Sequence, residues 1–82
     1  MIRIAICDDE IEIVTELSLK IDDIMSEIGE EVKIYQFTSS NEILSCHIKF
    51  NLIFLDIEMP DLNGIETAEK IRVLDPHVQI VY

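Results

Sequence analysis

Three aspartates follow predicted β-strands directly, and they are the residues best suited to chemistry. Asp8 and Asp9 come after the apolar segment 2–7, and Asp56 ends the apolar run 52–56. A run this continuous predicts a strand buried on both faces. Removing a carboxylate from water at the end of such a strand costs several kcal/mol unless a partner compensates. Stability alone therefore does not explain Asp56, and we treat it as a candidate functional residue.

The elements around these acids predict an α/β fold. Strands are expected at 2–7, 32–37, 52–56 and 78–82, and amphipathic helices alternate with them in the order β-α-β-α-β-α-β. Such alternation with short connections gives a parallel sheet with right-handed crossovers. We expect a flavodoxin-like doubly wound sheet with strand order 2-1-3-4, in which the first and third strands are neighbours.

The three helices have recognisable ends in the sequence. Asp9 is expected to cap the first, and Gly29 to end it. Ser39 and Glu42 match a capping box for a second, short helix over 41–48. Asp75-Pro76 ends the third, because proline disfavours helix at the residue before it. The helical spacing of the first helix predicts a core face with these members: Val14, Leu17, Ile21, Ile24 and Ile28.

This topology brings the three aspartates to one place. The carboxyl ends of the first and third strands meet where the strand order reverses, which is the usual ligand crevice of such sheets. Carboxylates that converge there raise one another's pKa values, and a divalent cation relieves the repulsion. Oxygen ligands of this kind suit Mg²⁺. A carboxylate beside the ion could attack phosphorus and form an acyl phosphate.

Composition narrows the classes of function. The chain has 82 residues, a formal net charge of -11 and a pI of about 4.2, so direct contact of this segment with nucleic acid is disfavoured. Cys7 and Cys46 form neither a disulfide framework nor a metal-finger spacing. No secretory signal or membrane-length apolar run is visible, so we expect a cytoplasmic protein without membrane contact.

Two segments carry a family resemblance. Cys7-Asp8-Asp9-Glu10 and Leu55-Asp56-Ile57-Glu58-Met59-Pro60-Asp61-Leu62-Asn63-Gly64 resemble the receiver domain of two-component response regulators. The resemblance implies that Asp56 is the phospho-acceptor and that Asp8 and Asp9 hold Mg²⁺ with it. It implies a sensor histidine kinase as phosphodonor. The amino-acid sequence of the second segment is most similar to that of receivers joined to LytTR-type DNA-binding domains. The full-length protein is therefore expected to carry a DNA-binding domain.

The resemblance also assigns roles in the loop after Asp56. The backbone carbonyl of Glu58 would be a further Mg²⁺ ligand. Pro60 and Gly64 would shape the loop that leads into the third helix.

The chain departs from the family pattern at its end. Receivers have five strands and five helices, and this chain stops within the fourth strand, without the last strand and the last two helices. The switch Ser or Thr and the family's lysine are therefore absent. We expect the N-terminal part of one receiver domain, unable to switch. The apolar segment 78–82 would be an exposed edge strand, which invites strand-mediated or swapped homo-oligomers.

Other functions remain open on the sequence. One alternative is a pseudo-receiver that binds partners without phosphorylation. Another is a phosphotransferase of the haloacid dehalogenase type, which also uses an aspartate after a strand with an acid two residues on, as Asp56 and Glu58 suggest. The short length, the Met59-Pro60 loop and the Asp8-Asp9 pair argue against that enzyme class.

Overall fold

A computed structural model describes residues 1–59 and 63–82. Its strands are β1 (Ile2–Cys7), β2 (Val32–Phe37), β3 (Leu52–Leu55) and β4 (Gln79–Val81), and its helices are α1 (Ile11–Glu27), α2 (Ser40–Ser45) and α3 (Gly64–Leu74). Elements alternate along the chain as the sequence predicts. In the part of the chain described, no helix has the length and apolar character needed to span a membrane.

The four strands form one parallel sheet in the order β2-β1-β3-β4, which confirms the predicted topology. In the register between β1 and β3, Cys7 is paired with Leu55, so both strands end at the same level. In the register between β1 and β2, Cys7 is paired with Phe37. The residues that follow β1 and β3 therefore leave the sheet side by side.

Each face of the sheet packs against its own helices. Alternate residues of β1 separate the two layers, because successive side chains of a strand point to opposite faces. Ile4 and Ile6 pack with Val14 and Ile21 of α1. On the other face α2 and α3 cover a larger buried cluster with these members: Ala5, Cys7, Ile43, Ile53, Leu55, Met59, Ala68, Ile71 and Val78.

The predicted core face of α1 is partly wrong. Ile24 and Ile28 are 57% and 64% exposed, while the residues of α1 that are buried are Val14, Ser18 and Ile21. Ser18 Oγ accepts a hydrogen bond from Gln36 Nε2 of β2 at 2.8 Å, which holds this side of the helix against β1 and β2. Ile24 consequently lies on a flank of α1 that the sheet does not reach, and Ile28 is the C-cap residue beyond the last turn.

The N-terminus of α1 also differs from expectation. Its N-cap residue is Glu10, without a side-chain capping bond, and Asp9 does not cap it. Instead Asp8 Oδ1 accepts the Glu10 N–H at 2.9 Å, because a carboxylate two residues earlier reaches that donor in an Asx turn. The C-terminal prediction is confirmed: Gly29 has φ +75°, the left-handed conformation that glycine adopts without a Cβ penalty.

Helix α2 has the predicted capping box, but it begins at Ser40, one residue before the predicted start, and ends earlier than predicted. Ser39 Oγ accepts the Glu42 N–H at 3.2 Å, and Glu42 Oε1 accepts the Thr38 N–H at 3.0 Å. Cys46 is extended, so the helix stops at Ser45 rather than near Ile48. The chain must cross from the carboxyl end of the sheet back to the start of β3, and extended residues cover about 3.3 Å each against about 1.5 Å in a helix.

Candidate functional site

The structure brings Asp8, Asp9 and Asp56 together at the carboxyl ends of β1 and β3. One carboxylate oxygen of each lies within 4.8 Å of the others, with Asp9 exposed and the other two half-buried. The strand ends are fixed by the Asp56 N–H, which donates to the Cys7 carbonyl at 2.9 Å, and by the Asp8 N–H, which donates to the Phe37 carbonyl at 3.1 Å. The sheet therefore holds the backbone of both acid-bearing segments.

Backbone donors orient the half-buried carboxylates. The Glu10 N–H binds Asp8 Oδ1, and the Glu58 N–H binds Asp56 Oδ1 at 3.1 Å. Each bond spans two residues and closes an Asx turn. One oxygen of Asp56 is thereby held by the backbone of the loop that follows β3.

The electrostatics of the cluster favour a cation. Desolvation by burial raises the pKa of Asp8, the Glu10 N–H opposes it, and the negative charges of Asp56 and Asp9 raise that pKa further. A positive charge among the three carboxylates removes the last contribution and stabilises the charged form of all three.

The donor set fits Mg²⁺ in its chemistry. All available ligands are oxygens, the charge is high, and the site is open to water, which matches an ion that keeps several water ligands. Glu58 lies immediately beside the cluster through its N–H bond to Asp56, and its side chain is exposed.

Gly64 lies directly against the backbone that follows β3. A Cβ built on Gly64 would come within 3.0 Å of three backbone atoms: the Asp56 carbonyl oxygen and carbon, and the Ile57 Cα. The Gly64 N–H donates to the Ile57 carbonyl at 3.0 Å. Only glycine lets the first turn of α3 approach this loop so closely. Pro60, the other predicted loop-shaping residue, lies outside the described residues.

The start of α3 is capped by Asn63, the residue before Gly64. Its Oδ1 accepts the Glu66 N–H at 2.9 Å, and its Nδ2 donates to Glu66 Oε1 at 2.9 Å. This reciprocal cap fixes where the loop ends and the helix begins.

Sequence reasoning missed a buried group behind the acids, which we call the sulfur–hydroxyl cluster: Cys7, Ser40, Met59 and Thr67. Thr67 Oγ1 lies 2.9 Å from Ser40 Oγ, and Met59 Sδ lies 3.7 Å from Cys7 Sγ. The sequence indicates only that Cys7 is a small buried residue. A signal was present in Thr67, a polar residue adjacent to the apolar Ala68 on α3, but its partner Ser40 is 27 residues away.

A cavity of about 190 Å³ lies elsewhere, between α2, α3 and the segment before β3. Its walls are mainly apolar and include Ile43, Phe50 and Val78. Phe50 and Val78 precede β3 and β4, so this cavity is at the amino ends of the strands, away from the acids.

Comparison with known proteins identifies the family. Residues 4–82 match the response regulator receiver domain. Over 81 residues the chain is 35% identical to the cyclic di-GMP phosphodiesterase response regulator RpfG of Xanthomonas campestris pv. campestris, covering 96% of this chain and 20% of RpfG. It is 28% identical over 81 residues to the chemotaxis protein CheY of Thermotoga maritima, covering 96% of this chain and 63% of CheY. The chain thus spans less than two thirds of these relatives.

Solved structures agree with this match. The response regulator TrrA of Thermotoga maritima, in complex with Mg²⁺ and BeF, superposes with a TM-score of 0.85 at 29% identity, covering 98% of this chain and 66% of TrrA. TrrA in complex with the histidine kinase ThkA gives a TM-score of 0.65 at 29% identity, with the same coverage. Strand order, acid placement and family match lead to one conclusion: the chain belongs to the response regulator receiver domain family, the signalling modules of two-component systems.

Proposed function

We propose that this chain accepts a phosphoryl group on Asp56 in a Mg²⁺-dependent reaction. The observation that carries the proposal is the convergence of the Asp8, Asp9 and Asp56 carboxylates within 4.8 Å at the point where the strand order reverses. Asp8, Asp9, Asp56 and the backbone carbonyl of Glu58 would hold the ion. When bound, Mg²⁺ supplies positive charge that offsets the charge on the transferring group.

In the proposed step a carboxylate oxygen of Asp56 attacks phosphorus. The new oxygen–phosphorus bond gives an acyl phosphate, and the bond from phosphorus to the donor breaks, so the leaving group departs with the electron pair. Because the Glu58 N–H binds Oδ1, the other oxygen of Asp56 is the better placed nucleophile. Asp8 and Asp9 act by binding and orientation, and the protein positions groups rather than exchanging protons.

A mass measurement tests the proposal. The chain is incubated with Mg²⁺ and acetyl phosphate and its intact mass is recorded beside Asp56→Asn and a control, Asp23→Asn, which removes an exposed acid from α1. We expect a gain of one phosphoryl group in the wild type and in Asp23→Asn, and no gain when EDTA is present throughout the incubation. A gain in Asp56→Asn, or a gain in an incubation that contains EDTA, would contradict the assignment. Multiple turnover of the donor would favour the phosphotransferase alternative instead.

A sensor histidine kinase is the proposed physiological donor. The support is the complex of TrrA with the histidine kinase ThkA, whose regulator shares 29% identity with this chain. The acid site is open at the end of the sheet, as transfer from a protein donor requires. The proposal includes a cytoplasmic location and, in the full-length protein, a DNA-binding effector domain.

We further propose that residues 1–82 are the N-terminal part of one receiver domain and do not switch by themselves. The lysines are Lys20, Lys33, Lys49 and Lys70, and none follows the carboxyl end of a strand. We therefore expect phosphorylation without the conformational response of a complete receiver. Fluoroberyllate with Mg²⁺ should shift the amide NMR signals of the two acid-bearing segments alone, residues 8–10 and 56–58. Shifts along the length of α3 and β4 would contradict this proposal.

The edge strand β4 leads to a related proposal on assembly. Val81 is exposed on this strand, whose only partner among the described residues is β3. We propose strand-mediated or swapped association through β4. Sedimentation at rising protein concentration should show self-association, and a monomer throughout would contradict it.

A further inference from the structure

We propose that Thr67 is a positioning residue for the acid site formed by Asp8, Asp9 and Asp56. Its hydroxyl holds the first turn of α3, which lies against the backbone after β3 through Gly64, and so helps to keep Asp56 and Glu58 beside the other two acids. The inference rests on the proposed function of that site. Its basis is the sulfur–hydroxyl cluster, which lies directly behind the acids.

The cluster is buried and reaches every segment that contributes to the site. Ser40 and Thr67 are 0% exposed and Cys7 is 1% exposed, with Met59 also buried. Cys7 immediately precedes Asp8, and Met59 immediately follows Glu58. Ser40 starts α2 and Thr67 lies in the first turn of α3.

The Thr67 hydroxyl contacts both Ser40 of α2 and the N-cap residue of its own helix, Asn63. Its Oγ1 lies 2.9 Å from the carbonyl oxygen of Asn63, the residue that ends the loop, and 2.9 Å from Ser40 Oγ. Ser40 Oγ in turn lies 4.0 Å from Met59 Sδ. A hydroxyl donates one proton and can accept others, so Thr67 can donate to the Asn63 carbonyl and accept from the Ser40 hydroxyl in this buried position. Loss of the hydroxyl would remove the Thr67–Ser40 bond between α3 and α2, while the Asn63 carbonyl would keep the Thr67 N–H at 3.0 Å.

Backbone hydrogen bonds join the first turn of α3 to the segment that follows β3. The Gly64 N–H donates to the Ile57 carbonyl, and the Glu58 N–H donates to Asp56 Oδ1. Thr67 therefore fixes the first turn of α3, and Gly64 joins that turn to the segment that carries the nucleophile and a proposed ligand. Groups that orient metal ligands from behind commonly change metal affinity by about tenfold or more when removed.

The test compares two substitutions at Thr67. Thr67→Val keeps the volume and removes the hydroxyl, whereas Thr67→Ser keeps the hydroxyl and removes a methyl group. The matched control is Thr15→Val, because Thr15 Oγ1 makes the same bond to the carbonyl four residues earlier, Ile11, at 2.9 Å on the exposed side of α1. We expect Thr67→Val to weaken Mg²⁺ binding, measured by calorimetry, by about tenfold, with Thr67→Ser and Thr15→Val close to wild type.

Amide hydrogen exchange without metal supplies a second measurement. In Thr67→Val the Gly64 and Glu58 amides should exchange faster, while amides of β1 keep their rates. Equal behaviour of Thr67→Val and Thr15→Val would overturn the inference, and so would a loss in Thr67→Ser as large as in Thr67→Val, since packing of the methyl group would then explain both.

The outcomes separate this inference from the proposed function. If the wild type binds no Mg²⁺, the proposed function fails. Faster amide exchange at Gly64 in Thr67→Val would still support the positioning role of Thr67, and an unchanged rate would overturn it. If Thr67→Val does not fold, Ser40→Ala replaces it, since it removes one partner of Thr67 and leaves the bond to Asn63. Faster exchange at Gly64 in Ser40→Ala supports the inference, and an unchanged rate overturns it.

Discussion

At the scale of single residues, repulsion among the carboxylates of the acid site lowers the stability of the metal-free folded protein. The charges of Asp56 and Asp9 help to raise the pKa of Asp8 in the folded protein, after desolvation. The charge of Asp56 destabilises the metal-free fold, because the unfolded chain keeps Asp56 away from Asp8 and Asp9. Chemistry at Asp56 and stability without metal therefore oppose each other.

Asp56→Asn should stabilise the metal-free protein. The amide keeps an oxygen that can accept the Glu58 N–H and removes one negative charge from the cluster. We expect a gain of up to about 1 kcal/mol, the size of one charge pair near 4 Å in water. Urea unfolding in EDTA measures it, with Asp23→Asn as the control. Equal midpoints for the two variants would mean that the acids do not repel one another significantly.

At the scale of elements, the close approach of α3 to the backbone after β3 shapes the site. Gly64 permits that approach, and Asn63 and Thr67 fix the first turn of the helix. The position of α3 and the position of the Asp56 backbone are therefore coupled.

Gly64→Ala should damage both stability and metal binding. The added Cβ would overlap backbone atoms of Asp56 and Ile57, which cannot move as a flexible side chain would, and overpacking of this kind costs about 1–3 kcal/mol. Gly29→Ala is the matched control, because it costs stability through its φ of +75° but meets no atom within 4 Å. Thermal unfolding and Mg²⁺ calorimetry should show both losses for Gly64→Ala and only the first for Gly29→Ala.

The cap of α2 should make stability depend on pH. Hydrogen bonds from the Thr38 hydroxyl and N–H lower the pKa of Glu42 below its ordinary value of 4.5. A lowered folded-state pKa means that the unfolded chain binds the proton more readily. The stabilisation is therefore present above about pH 4.5 and is lost as the pH falls through the folded-state pKa.

Glu42→Gln should reduce this acid dependence. The control is Glu69→Gln, which removes an exposed acid from α3. Urea midpoints between pH 3 and pH 6 should fall less steeply on acidification in Glu42→Gln than in the wild type or the control. Identical slopes in all three proteins would show that the hydrogen bonds of the cap do not favour the charged form of Glu42 over its neutral form.

At the scale of the whole molecule, a net charge of -11 on 82 residues makes the folded state sensitive to cations. Monovalent salt screens this charge everywhere, whereas Mg²⁺ bound among the three aspartates acts at one place. Only the effect of bound Mg²⁺ should depend on the three aspartates individually; general screening should not.

Mg²⁺ should raise the unfolding temperature beyond NaCl of equal ionic strength. Binding to the folded state alone adds RT ln(1 + [L]/Kd), about 2.7 kcal/mol at 100 times Kd. Calorimetric scans of the wild type and Asp9→Asn measure the excess, which should vanish in the variant. An excess retained in Asp9→Asn would indicate general screening rather than a site.

The sequence by itself determined the alternation of elements, because period-two and helical patterns together with glycine, proline and capping residues are local signals. From that alternation it favoured the flavodoxin-like strand order 2-1-3-4. It thereby predicted which acids meet, since parallel strands that are neighbours must end side by side. The family resemblance assigned roles to Asp8, Asp9, Asp56 and Glu58, and these roles remain predictions.

Tertiary structure alone decided which residues of each sequence pattern are buried and which polar side chains form pairs. The spacing of Ile24 and Ile28 matches the apolar side of α1, yet the sheet covers only the side that Val14 and Ile21 occupy. Likewise Ser40 and Thr67 are ordinary helical residues until α2 and α3 bring their hydroxyls to 2.9 Å. Local periodicity fixes which residues share a side of a helix, but burial and polar pairing depend on what packs against that side, which is decided by distant parts of the chain.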